Sequence, residues 1–158
     1  MFTSPSPLPE SSRTRIVDAL NARLADGLDL ASGLKVAHWN LRGPQFAALH
    51  PLFGAFATAL EGINDDVAER VVTLGGRALG TVRHVASASS LPEYPQETTR
   101  DSHHTRLLVD RIDGYLRGVR AARVVADELD DIVTTDLLTS VVATFEKNHW
   151  MLRASLET

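Results

Sequence analysis

Seven prolines stand at positions 5, 7, 9, 44, 51, 92 and 95. Inside a helix, proline removes a backbone donor and clashes with the carbonyl four residues back, so it divides the chain into permitted helical stretches. From Ser11 the apolar residues Ile16, Leu20, Leu24, Leu28 and Leu34 recur at helical steps, and the run closes at Gly43-Pro44. A second helix is expected from about Pro51 to Leu74, through Leu52, Phe56, Leu60, Ile63, Val67 and Val71. Gly75-Gly76 stops it. Asp101 or Ser102 can cap a third helix running to about Glu128, and a fourth is expected from about Thr134 to Leu156.

The pattern predicts an all-α protein, a ferritin-like four-helix bundle over residues 11–158. The long connection over 75–100 crosses the end of the bundle and is expected to carry a short helix. Residues 1–10, rich in Pro and Ser, are expected to form a flexible arm.

Composition narrows the chemistry. Cysteine is absent, which excludes disulfides, thiolate catalysis and thiolate-bound metals, so any metal site must use His, Asp and Glu. The net charge of −4 argues against a basic nucleic-acid surface. No run approaches about 18 consecutive apolar residues, and no secretory leader is visible, so a soluble cytoplasmic domain without membrane contact is expected. Gly-x-Ser-x-Gly and His-Glu-x-x-His motifs are both missing.

The second helix carries Glu61, Asp65 and Glu69 at successive four-residue steps. Measured around the helix from Leu60, the core residues fall within about 60°, whereas Asp65 lies near 140° and Glu69 near 180°. The two acids therefore point away from the core of their own subunit. On spacing alone a solvated face is the commoner explanation. His38 lies on the apolar stripe of the first helix, where a satisfied core histidine is the ordinary case, and His50 beside Pro51 could be a cap or surface residue. His50 and Asp65 are separated by about 22 Å of helix, too far for one metal to join within a chain. If they form one site, a second subunit supplies half of it. Antiparallel two-fold pairing of the second helices permits this.

These residues carry a resemblance. Lys35-Val36-Ala37-His38-Trp39-Asn40-Leu41-Arg42-Gly43-Pro44, then Leu49-His50, Asp65, Glu69-Arg70 and Leu74-Gly75-Gly76 resemble the signature of the Dps family of mini-ferritins. The similarity continues through Ala78-Leu79-Gly80-Thr81 and returns at Thr135-Asp136-Leu137-Leu138-Thr139 and Trp150-Met151-Leu152-Arg153. It implies a homododecameric cage whose iron-oxidising centres lie at two-fold interfaces. His38 and His50 would come from one chain, and Asp65 and Glu69 from its partner. The implied reaction is oxidation of Fe(II), preferentially by hydrogen peroxide, with ferric mineral stored inside. Carboxylates and imidazoles suit both iron oxidation states. Trp39 would lie close to the centre as a sacrificial electron donor, although a packed interface aromatic explains it equally well.

One position departs from the family pattern: Gly54 stands where a carboxylate usually follows the second histidine by four residues. That weakens the second iron position and implies one tight metal per centre. His149 is the spare imidazole considered near it, while His84, His103 and His104 are expected at the surface. The acidic segment around Asp131 and Asp136 resembles the region lining the family's three-fold iron-entry pores; a polar interhelical loop is the plainer alternative. DNA binding, the family's other trait, is expected to be weak or absent, because the termini lack basic arms. The alternative reading is a nucleoid-associated structural protein with a vestigial metal site.

Overall fold

The computed structural model describes residues 1–157. Its helices are α1 (Glu10–Asn40), α2 (Phe46–Thr73), α3 (Val82–Ala88), α4 (Asp101–Glu128) and α5 (Ile132–Ala154). The four long helices form a bundle in which α1 packs along α2, α4 along α5, and α1 against α4. Period-3.6 apolar stripes build one shared core, including Leu20, Leu34, Phe53, Leu60, Ile112, Tyr115 and Phe145. Tyr115 meets Phe145 edge to face, with centroids 5.2 Å apart. The all-α bundle with a short helix in the long connection is thus observed as expected.

Helix boundaries differ where tertiary contacts supply the caps. α2 begins at Phe46 and runs through Pro51. Its first turn is closed by Leu49 N–H donating to Gln45 O at 2.9 Å, and Pro51 then costs only one further donor close to the helix start. In α4 the cap is Arg100, and the Asp101 carboxylate is shared. Its Oδ2 accepts from Gln45 N at 2.8 Å, tying α4 to the α1–α2 turn, while Oδ1 accepts from Ser102 N. Gly43 makes this approach possible, since its φ is +145° and a Cβ there would lie 2.3 Å from Asp101 Oδ2.

The connection is fastened to α1 by a fully buried carboxylate. Asp26 accepts from Ser90 N at 2.7 Å and pairs with Arg23 at 3.1 Å. The arm, expected to be flexible, lies docked along the end of α2. Phe2 N–H donates to Gly75 O at 2.7 Å, and the Ser4 hydroxyl donates to Thr73 O at 2.6 Å. The Arg77 guanidinium sits over the Phe2 ring. These are unsatisfied helix-end carbonyls finding donors, a tertiary effect that composition does not show.

α2 is long and apolar enough by composition to cross a membrane, although it holds no run of about 18 consecutive apolar residues and packs as a core helix of the bundle. Leu49, Phe53, Phe56, Leu60, Val67 and Val71 are buried in the bundle, while Ala48, Ala55, Thr58 and Ala59 form a small-residue surface left exposed.

Candidate metal centre

His38, in the last turn of α1, and His50, in the second turn of α2, face one another across the α1–α2 packing. Their rings stack with centroids 3.8 Å apart and an interplanar angle of 22°. His38 Nδ1 lies 2.6 Å from His50 O, and His50 Nδ1 lies 2.9 Å from His38 O. A carbonyl can only accept, so each Nδ1 carries the proton and each Nε2 keeps its lone pair. This is the arrangement that holds an imidazole ready as a metal ligand: one nitrogen fixes tautomer and orientation, and the other is free to bind. The Phe46 ring stacks on His50 at 5.0 Å and extends the ladder. Both histidines are half-buried, and neighbouring Trp39 is 68% exposed, as are Phe46 and much of this end of the molecule to lesser degrees.

Asp65 and Glu69 are exposed on the outward face of α2, as the helical angles predict. Among the described residues, no three His, Asp or Glu side chains converge on one point within the chain. The structure therefore brings the two histidines together and leaves the two acids apart from them. Gly54 lies directly against His38: a Cβ there would be 3.2 Å from both Cε1 and Nδ1. A carboxylate at this position would spring from beside the histidine, and the chain has none. His149 pairs with Asp113 of α4 at 3.1 Å rather than with His38 or His50.

The acids expected at an entry pore separate into two kinds. Asp131 is 3% exposed and is the cap of α5. It accepts from Arg70 Nη2 at 2.7 Å and from the Thr134 amide and hydroxyl. Burial pushes its carboxyl up, but the Thr134 hydroxyl and Arg70 guanidinium outweigh that and hold it below the ordinary carboxylate range. With its charge already met, Asp131 holds α2 to α5; Asp127, Glu128, Asp130 and Asp136 are the exposed acids of this segment.

A second correction concerns His104, expected at the surface but fully buried, with Nδ1 2.5 Å from Tyr94 Oη. His103 is exposed, and His84 is half-buried. Sequence reasoning also passed over Arg111, which is 2% exposed and paired with Asp29 at 2.7 Å. Its position on the inward stripe of α4 beside Leu108 and Ile112 was the available signal.

A ferritin-like domain model matches residues 17–158. The DNA protection during starvation protein of Agrobacterium fabrum is 38% identical over 150 residues, covering 95% of this chain and 93% of that protein. DpsC from Streptomyces coelicolor superposes with a TM-score of 0.94 at 33% identity, covering 99% of this chain and 91% of that one. A Vibrio cholerae DPS protein, described as a member of the ferritin-like diiron-carboxylate superfamily, superposes with a TM-score of 0.93 at 27% identity over 99% and 98% of the two chains. The fold is that of a ferritin-like protein. Within that class, the chain belongs to the Dps family.

Proposed function

We propose that this protein is a ferroxidase and iron-storage subunit whose centre is completed by a second copy of the chain. The observation that carries this reading is the reciprocal Nδ1–carbonyl locking of His38 and His50, which leaves two Nε2 lone pairs on neighbouring rings with no third ligand nearby. Asp65 and Glu69 stand on the same helix as His50, beyond reach within one chain but exposed beside a strip of small residues. Antiparallel pairing of two α2 helices brings the acids of one copy to the histidines of the other. Two imidazoles and two carboxylates make a borderline-to-hard donor set suited to Fe(II) and retained by Fe(III). Iron is the substrate, hydrogen peroxide the preferred oxidant, and a homododecameric cage the store for the ferric product. Trp39 stands near the centre, and the exposed acids around Asp136 supply the negative field of an entry pore.

DNA binding is weak or absent in this reading. The arm is docked rather than free, and twelve copies each of charge −4 would carry about −48, which repels phosphate.

Stopped-flow oxidation of anaerobic Fe(II) by peroxide tests the proposal. Rapid oxidation by the assembled protein, lost in Asp65→Ala/Glu69→Ala, supports it. Rates no faster than buffer in both proteins would overturn it and move attention to DNA, where a gel-shift at physiological salt decides.

A further inference from the structure

Tyr94 and His104 form a hydrogen-bonded pair that the metal centre leaves unused. His104 is fully buried in the first turn of α4; its ring runs nearly parallel to that of Tyr94, at 18°, and the Oη–Nδ1 distance is 2.5 Å. His104 Nε2 is buried without a hydrogen-bond partner, and the Thr98 backbone favours the protonated ring. In the tautomer that carries its proton on Nε2, Nδ1 accepts from the Tyr94 hydroxyl. Burial pushes the imidazole down and the phenol up, so both are neutral at rest.

The surroundings make electron loss depend on proton loss. The guanidinium of buried Arg111 lies 5.7 Å over the Tyr94 ring. A fixed cation there opposes a ring radical cation, so an electron leaves readily only when the phenolic proton leaves with it. His104 is the base in contact. Asp101, one turn earlier and 8% exposed, favours the imidazolium that results.

Tyr94 is also built against the helix that carries His38. A Cβ on Gly33 would lie 3.2 Å from Tyr94 Cδ2, and Gly33 precedes His38 by five residues, about 7.5 Å along the helix axis. Asp101 reaches the other histidine's helix through Gln45 N. Gly54, meanwhile, leaves the centre without a carboxylate beside His38. A centre holding one Fe(II) offers one electron, whereas peroxide takes two.

We propose that Tyr94 supplies the second electron and that His104 takes its phenolic proton. The proposal rests on the iron-oxidation reading above. One Fe(II) and the Tyr94 phenol each lose an electron to hydrogen peroxide, and the O–O bond breaks to give two hydroxide ions. The other products are Fe(III), a neutral Tyr94 phenoxyl radical and the His104 imidazolium. No hydroxyl radical is released. Tyr94 is the donor, and Asp101 and Arg111 are positioning residues.

Two experiments test this on the assembled protein. In the first, metal-free protein is oxidised with photogenerated tris(bipyridine)ruthenium(III) and frozen for electron paramagnetic resonance. The chain has two tyrosines, so assignment is binary. The expected result is a long-lived, hydrogen-bonded tyrosyl radical that is lost in Tyr94→Phe and decays several-fold faster in His104→Gln. In the second, protein loaded with one Fe(II) per centre is mixed with peroxide and freeze-quenched. The same radical is expected, and Tyr94→Phe should release several-fold more spin-trapped hydroxyl radical while still assembling by gel filtration. Iron oxidation without the Tyr94 radical, or a radical lost in Trp39→Phe and retained in Tyr94→Phe, overturns the donor role alone. Absence of any iron oxidation, with the Tyr94 radical still formed in the metal-free experiment, overturns the ferroxidase reading and the donor role with it.

Discussion

Arg70 on α2 reaches Asp131 at the start of α5 with Nη2 2.7 Å from Oδ1, and the same carboxylate caps that helix through Thr134. One buried acid thus joins two helices that otherwise touch little. In the folded protein its carboxyl titrates below the ordinary carboxylate range. The stability it contributes is fully present above the unfolded-state value near 4 and is lost as pH falls through the lower folded-state value. Asp131→Asn should flatten the acid limb of the stability curve. Arg70→Met, which leaves the acid unpaired, should cost about 3 kcal/mol near neutral pH. Thermal melts across pH 3 to 7, roughly the window in which carboxylates titrate, check both. An unchanged acid limb in Asp131→Asn would refute the assignment.

Gly43→Ala tests the turn that joins the helices carrying His38 and His50. A Cβ at φ +145°, within 2.3 Å of the Asp101 carboxylate, is strained both by backbone and by contact. The expected loss is about 2 kcal/mol or more in chemical denaturation. Because Gln45 N is held by the same carboxylate, iron oxidation should slow as well.

Gly54→Asp should raise metal binding from one to two Co(II) ions per centre in anaerobic calorimetry. Its Cβ must press on His38, so a small stability loss of about 1 kcal/mol is expected beside the gain. Unchanged stoichiometry would mean that the missing carboxylate is not what limits the second position.

The shared-site reading predicts complementation. Cages assembled from equal parts of His38→Ala/His50→Ala chains and Asp65→Ala/Glu69→Ala chains contain mixed two-fold pairs in about half of their interfaces. Each mixed pair regains one intact centre of two, so about a quarter of wild-type oxidation should return. If each centre lay within one chain, the mixture would stay as inactive as its parents.

The bundle was legible in the chain because a 3.6-residue apolar period and proline positions are local properties. Helix α2 and its outward acids followed from angle alone, and the gap between His50 and Asp65 already required a second copy for any shared site. Other features depend on partners distant in sequence. Nothing local marks His104 as buried beside Tyr94, Asp131 as a cap already neutralised by Arg70, or the arm as docked on the end of α2. Nor does spacing reveal that His38 and His50 bond to each other's backbone, which fixes the tautomer and frees both Nε2 atoms. Periodicity determines which face of a helix is buried. Which donor meets which acceptor is decided only when the helices pack, because buried polar groups must find partners wherever the fold brings them.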